Sequence, residues 1–329
     1  MFQLDLNSIV SWIQERNYNS VAVQLPEGIK IDALRISEVL SNRTKAEIII
    51  LGDPCYGACD LYVDYKRIAD ALVHFGHSPI HPQELDEDVF FAEVRADPDI
   101  KWAVLNASES LPDRVGLLAT VQYIGLIPKA KEILVTTGKK VFVGTGDSRI
   151  FYPGQVLGCN FSSASSVSEK VDAFLYLGEG DFHPLAAAFG VKKYMLVLNP
   201  LTGEVRNLSD AKDRLLRKRF AAIEKAKDAR SFLVIVCSKP GQNRSATADI
   251  LIEKIKEQGK TATKILVNEI TPDSLLPYKA DVYINTACPR IAIDDSARYS
   301  KPMLTVTEAE IVLGMRKWEG YEFDSIHGE

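Results

Sequence analysis

Five cysteines stand in this 329-residue chain, at positions 55, 59, 159, 237 and 288. Two of them, Cys55 and Cys59, lie four residues apart in "GDPCYGACD" (Gly52 to Asp60), directly after the apolar run Ala46 to Leu51. A thiolate is a soft ligand for zinc or an iron–sulfur cluster, a pair of thiols can cycle through a disulfide, and a free thiol is often a small core hydrophobe. All three chemistries are open to this pair. A structural zinc site usually shows paired cysteines at both ends, and here only Cys55 and Cys59 are close, so zinc is the weaker metal reading.

The elements that must carry these residues follow from periodicity. Short β-rich apolar runs alternate with helical patterns, the signature of an α/β protein with mainly parallel sheets. The plan repeats three times. A first strand is expected at "VAVQL" (Val21), "VQYIGLI" (Val121) and "FLVIV" (Phe232), with helices following at Ile31 to Ser41, Lys129 to Thr137 and Ser245 to Gln258. Second strands are expected at "AEIIIL", "KVFVG" and "TATKILV". A third opens on an acid in each copy: Asp70 in "ADALVHFG", Asp172 in "VDAFLYLG", Asp281 in "ADVYINT". "KWAVLN", "KYMLVLN" and "KPMLTV" close the units. The period is roughly 100 to 110 residues, one small domain each. The expected fold is three similar Rossmann-like α/β domains around a pseudo-threefold centre, spanning residues 1–110, 111–212 and 213–329.

On that plan Cys59 lies 38 residues past Val21 and Cys159 lies 38 past Val121, both just beyond a second strand. Cys288 follows a third strand, in "NTACPRI". Loops at the carboxyl ends of parallel strands are where ligands bind. Three such domains would aim Cys59, Cys159 and Cys288 at one centre, which suits a [4Fe–4S] cluster with three protein ligands and one open iron; a pure electron carrier normally uses four. Cys237, at the end of "FLVIVC", reads as a buried thiol, and Cys55 as a buried thiol with a supporting role. The S-adenosylmethionine signature with three cysteines in one short loop is absent, since Tyr62 stands three residues after Cys59.

Other polar residues fall on the same edges. "QLPEGIK" offers Glu27 and Gly28, and "CSKPGQNR" offers Lys239, Gly241, Gln242 and Arg244; glycine permits close approach, and N–H groups before a helix attract a carboxylate. "LGEGDFHP" brings Glu179, Asp181 and His183, candidates to position a substrate or move a proton. "CPRIAIDD" adds Arg290, Asp294 and Asp295. No Walker loop, Rossmann fingerprint, HExxH helix or Gly-x-Ser-x-Gly elbow occurs, and "GTGDSR" lacks the spacing of a phosphate loop.

The formal net charge of −5 argues against a nucleic-acid footprint. "KDRLLRKRF" (Lys212 to Phe220) reads as the solvated face of a helix, with a docking patch for an acidic partner as the functional alternative. Apolar runs fall far short of the ~20 residues needed to cross a bilayer. The N-terminal stretch lacks the pattern of a secretory signal, so the cytoplasm is the expected compartment, and the odd number of cysteines fits thiols or metal ligands there.

Taken together, "GDPCYGACDLYVDY", "GQVLGCNFS", "YLGEGDFHPLA", "SKPGQ" and "NTACPRIAIDD", in that order along essentially the whole chain, resemble the Dph1/Dph2 family of diphthamide biosynthesis enzymes, most closely its archaeal type. The resemblance implies a [4Fe–4S] cluster on the matching Cys59, Cys159 and Cys288, a homodimer, and S-adenosylmethionine as co-substrate. It implies radical transfer of a 3-amino-3-carboxypropyl group to C2 of a histidine on translation elongation factor 2, with a separate electron donor. Glu27, Gly28, Lys239, Gly241, Gln242 and Arg290 are the expected contacts to S-adenosylmethionine, and Glu179, Asp181 and His183 the expected acid–base groups. Two alternatives are a quinolinate-synthase-like [4Fe–4S] dehydratase and a non-catalytic iron–sulfur or zinc scaffold.

Overall fold

A computed structural model describes residues 4–80 and 86–328; the first three residues of the N-terminal stretch lie outside the described residues. Three separate sheets form. The first is built from β1 (Ser20–Gln24), β2 (Glu47–Leu51), β3 (Ala71–Phe75) and β4 (Val89–Ala92), in the order β2-β1-β3-β4. The second uses β5 (Arg114–Ala119), β6 (Lys140–Phe142), β7 (Ala173–Leu177), β8 (Tyr194–Leu198) and β9 (Val205–Asn207), ordered β6-β5-β7-β8-β9. The third has β10 (Ser231–Cys237), β11 (Thr261–Val267), β12 (Val282–Asn285) and β13 (Met303–Leu304), ordered β11-β10-β12-β13. Among the described residues every pairing between these strands is parallel except β8 with β9. The central strands β3 and β7 are buried along their whole length, as a parallel sheet covered on both faces requires.

The acid that opens each third strand has a physical task. Asp70 accepts hydrogen bonds from the Asn19 and Ser20 backbone N–H groups at 2.8 and 2.9 Å, and Asp281 accepts from those of Arg230 and Ser231 at 3.0 and 2.9 Å. Asp172 reaches the same place through Arg114, at 2.9 and 2.5 Å. The carboxylate pins the start of the third strand to the start of the first, and those donors hold all three carboxyls below their usual range. Register follows, with Val21 opposite Ala71, Val115 opposite Ala173 and Phe232 opposite Val282.

Two expected strands are helical instead. "VQYIGLI" forms a 3-10 turn (Val121–Leu126) leading into a helix (Ile127–Thr136) with Pro128 in its first turn, and the first strand of the second sheet is the preceding "RVGLLA". Val121, Tyr123, Ile124 and Leu126 are all buried, so apolarity alone cannot separate turn from strand. Gly116 masks the true strand, where a Cβ would sit 2.4 Å from the Phe174 ring. "KWAVLN" opens a helix (Lys101–Glu109) with Val104 and Ala107 buried against the second sheet and Trp102 exposed; the fourth strand of the first sheet is β4.

The basic stretch is a solvated face at Asp213, Arg214, Arg217 and Lys218, with one exception. It lies on the helix Ser209–Ala226, where Arg219 is buried and forks onto Glu308 at 2.7 and 2.5 Å. Its other donors reach the carbonyls of Ala292 and Met303, and Glu308 also accepts from Tyr321. The pair therefore ties this helix, the third sheet and the C-terminal segment together. Arg219→Met strands the buried Glu308 carboxylate, and is expected to cost about 3–5 kcal/mol of stability, read as a lowered thermal unfolding midpoint; a loss under about 1 kcal/mol would contradict this role.

Candidate metal centre

All three sequence-selected cysteines sit in loops at the carboxyl ends of parallel strands, one per sheet. Cys59 follows β2, Cys159 follows β6 and Cys288 follows β12. The exact 38-residue offset does not survive, because β5 places Val115 rather than Val121 opposite the third strand, and Cys159 is 44 residues beyond position 115. The topological equivalence of the two loops does.

The three sulfurs share one electrostatic environment. Burial, then Asp60, then the charges of Cys288 and Cys159 raise the Cys59 pKa well above a thiol's usual value. Burial and Cys159 push Cys288 up to about 12. Every pair of the three is thus close enough for one thiolate to oppose another. That repulsion is what a bound cation relieves, and a metal that displaces thiol protons fits such a donor set.

A buried polar side chain organises each loop. For Cys59 it is the neighbouring Asp60, whose carboxylate accepts from the Tyr56 N–H at 2.6 Å, from Lys239 Nζ at 2.8 Å and from Gln242 Nε2 at 3.3 Å. For Cys159 it is Asn160, fully buried, which donates to the Asp147 carboxylate at 2.8 and 3.0 Å and to the Ile326 carbonyl at 3.0 Å. For Cys288 it is Asn285, which donates to the Cys288 carbonyl at 2.7 Å while accepting from the Ala287 N–H at 3.0 Å. Arg244 adds a clamp, holding the carbonyls of Thr286 and Ala287 and the carboxylate of Asp324.

The expected ligand-binding residues divide. Lys239, Gly241 and Gln242 crowd the Cys59 side: Gln242 Nε2 donates to Cys59 Sγ at 3.2 Å, and the Gly241 carbonyl accepts from Arg149 at 3.0 Å. Burial raises the Cys159 pKa above a thiol's usual value, and Arg149, which also hydrogen-bonds that sulfur, acts against the rise in favour of thiolate. Arg290 neighbours Cys288, pairs with Asp294 at 3.0 Å and lies 5.4 Å over the Phe182 ring. Glu27 faces outward in a pair with Lys30, which in turn holds the carbonyls of Gly52 and Asp53 at the start of the Cys59 loop. Gly28 has open space around it.

Among the expected acid–base groups, Glu179 accepts from Tyr123 and Asp181 pairs with Arg206 at 2.5 Å. Burial brings His183 down to about 4, and the charges of Arg290 and His77 act in the same direction. Cys237 is a buried thiol at the end of β10, bonded to the Asn268 carbonyl, as its sequence position implies. Cys55 is buried too, with its sulfur and the ring nitrogens of His74 and His77 all within 4.8 Å of one another.

Sequence reasoning passed over Asp60, Arg149, Asn160, His74 and His77. The His-x-x-His spacing in "VHFGHS" was the available signal for the last two; a single Asp, Arg or Asn in a loop carries none.

Comparison with known proteins fixes the lineage. Residues 25–323 match the family model of diphthamide synthesis proteins. The chain belongs to this family. It is 34% identical to the 2-(3-amino-3-carboxypropyl)histidine synthase of Pyrococcus horikoshii, over 100% of this chain and 95% of that one. It is 29% identical to subunit 1 of the human synthase, over 97% of this chain and 73% of the relative. The crystal structure of Dph2 from Pyrococcus horikoshii with a 4Fe-4S cluster superposes with a TM-score of 0.91, covering 100% of this chain and 95% of that one. The three-sheet α/β architecture is that of the family.

Gly241 offers a direct check on how tightly the centre is built. A Cβ there would stand 2.6 Å from Cys59 Cβ, 2.7 Å from its Cα and 2.6 Å from Ile80. Gly241→Ala must therefore push the Cys59 loop away, at about 1–3 kcal/mol. Iron bound per chain after reconstitution should fall below the wild-type level, whereas Gly28→Ala, with open space, should leave it unchanged.

Proposed function

We propose that the chain is a 3-amino-3-carboxypropyl transferase that uses S-adenosylmethionine to modify C2 of a histidine on translation elongation factor 2, the first step of diphthamide synthesis. The observation that carries this is the convergence of Cys59, Cys159 and Cys288 from three sheets into one set of sulfurs whose thiolates oppose one another, in a chain whose full-length relative is named for that product. The cysteines would hold a [4Fe–4S] cluster, as the superposed Pyrococcus horikoshii structure with its 4Fe-4S cluster suggests. Such a cluster, when bound, supplies an iron without a protein ligand and one electron for cleaving the sulfonium bond to the aminocarboxypropyl carbon.

The chain's own residues orient and balance charge. Gln242 and Arg149 direct N–H donors at the Cys59 and Cys159 sulfurs, which favours thiolate over thiol. Lys239 spends its charge on Asp60, inside the wall of the site. Arg290, half exposed beside Cys288, is assigned to the carboxylate of the S-adenosylmethionine amino-acid end. Glu27 and Gly28 are left to the outer rim, and Lys239, Gly241 and Gln242 to shaping the Cys59 side.

Radical cleavage, an external electron donor, a homodimer and a cytoplasmic setting complete the proposal. Among the described residues no helix is long and apolar enough to cross a membrane. The dehydratase and silent-scaffold alternatives find no support in the relatives, whose names give the transferase product.

The test is anaerobic. Protein reconstituted with iron and sulfide, reduced and given S-adenosylmethionine with elongation factor 2 should release methylthioadenosine and add the aminocarboxypropyl mass to one histidine. Release of 5′-deoxyadenosine, or no cleavage by a fully loaded protein, would overturn the proposal.

A further inference from the structure

A chain of hydrogen bonds runs from the wall of the Cys59 loop to a histidine at the centre, and its proton positions can be read off in order. Gln24, at the end of β1, donates through Nε2 to the Asp60 carbonyl at 2.7 Å, and its Oε1 accepts from the Tyr62 N–H at 3.2 Å. The amide orientation is therefore fixed. His74 Nδ1 lies 2.8 Å from that same Oε1, which can only accept, so Nδ1 carries the proton. In a neutral ring His74 Nε2 then holds a lone pair, and it faces His77 Nδ1 at 3.0 Å. A neutral His77 has one ring N–H, and the His74 lone pair places it on Nδ1; the ring's bond to the Phe75 carbonyl then draws on that same proton, which leaves Nε2 as the basic end of the series. Gly76 makes the arrangement reachable: its φ of +83° reverses the chain between the two histidines, where a Cβ would sit 2.8 Å from Pro26.

His74 is wholly buried and His77 partly exposed. Burial lowers the pKa of both, to about 4 for His77, so both rings are neutral at pH 7. The Asp60 carboxylate acts on His77 in the opposite sense and would offset a positive charge formed there. The same carboxylate acts on Cys59 and Cys288, and His77 acts on His183, so the charge of Asp60 reaches both the histidine and two of the three cysteines.

Resting on the transferase reading above, we infer that His77 Nε2 accepts the proton displaced from C2 of the acceptor histidine, with His74 and Gln24 as positioning residues. The net transfer breaks the sulfonium S–C bond and the C2–H bond and forms the new C2–C bond. The sulfonium becomes a neutral thioether, so its positive charge leaves as one proton, with no net oxidation or reduction. His183, beside the Arg290 cation, is poorly placed to take that proton; Asp181 is held by Arg206 and Glu179 by Tyr123.

The experiment compares wild type, His77→Ala and His77→Gln, reconstituted and reduced with S-adenosylmethionine and elongation factor 2. Both variants should load iron as wild type does, while modified histidine forms about 10²- to 10⁴-fold more slowly and its ratio to methylthioadenosine falls. Added imidazole should partly restore His77→Ala. Histidine ¹⁵N NMR of the iron-free protein should show His74 and His77 both as neutral Nδ1–H tautomers. Wild-type transfer rates in His77→Gln, which can still hydrogen-bond His74, would reduce the residue to a structural part and overturn the inference. So would one zinc per chain bound by Cys55, His74 and His77, since a metal would take the lone pairs that the relay uses. Failure of wild type to release methylthioadenosine is a different result, and would overturn the transferase reading beneath it.

Discussion

The centre depends on an ion pair between two sheets. Asp60, beside Cys59, and Lys239, just past β10, meet at 2.8 Å with side chains only 1% and 10% exposed. Neither charge would be tolerated there alone, because an unpaired buried ion costs several kcal/mol. Their pairing therefore locks the loop of the first sheet to the third, with Gln242 bonded to both Asp60 and Cys59. The second sheet is fastened by buried hydrogen bonds instead, from Arg149 to the Gly241 carbonyl and from Asn160 to the Ile326 carbonyl of the C-terminal segment. A small α/β unit offers ligands along one edge of its sheet; three units joined this way surround a point.

This explains why the polar residues of the site sort into two kinds. Those nearest the sulfurs are saturated by one another and form a rigid frame, which suits holding an inorganic group in one geometry. Two residues are left for the substrate: Arg290, half exposed at the rim, and His77, whose ring meets His74 through Nδ1. Frame residues look like ligand-binding candidates because both roles call for Lys, Gln and Gly in a loop at the end of a strand.

Much of the architecture was legible. The acids at Asp70, Asp172 and Asp281 mark the third strand of each unit because each pins the start of its neighbouring first strand, a local task with a local signature. The second-sheet error has an equally physical origin, since "VQYIGLI" is as apolar as a strand and buried as one, while Gly116 hides the real strand by making room for Phe174. Arg219 escaped because a basic helix face is usually solvated, and only the tertiary partner Glu308 reverses that. Cys59, Cys159 and Cys288 were readable through repetition. Asp60, Arg149 and Asn160 were not, because their meaning lies in contacts across sheets that no single loop encodes.

The central claim is that one iron–sulfur cluster is held by three cysteines from three sheets. Crystals grown anaerobically from reconstituted protein, measured at the iron absorption edge, test it most directly. The account predicts anomalous density for a single cluster bonded to the sulfurs of Cys59, Cys159 and Cys288, with none on Cys55 or Cys237. Iron bonded instead to Cys55 with His74 and His77, or a cluster lacking any one of the three sulfurs, would contradict it.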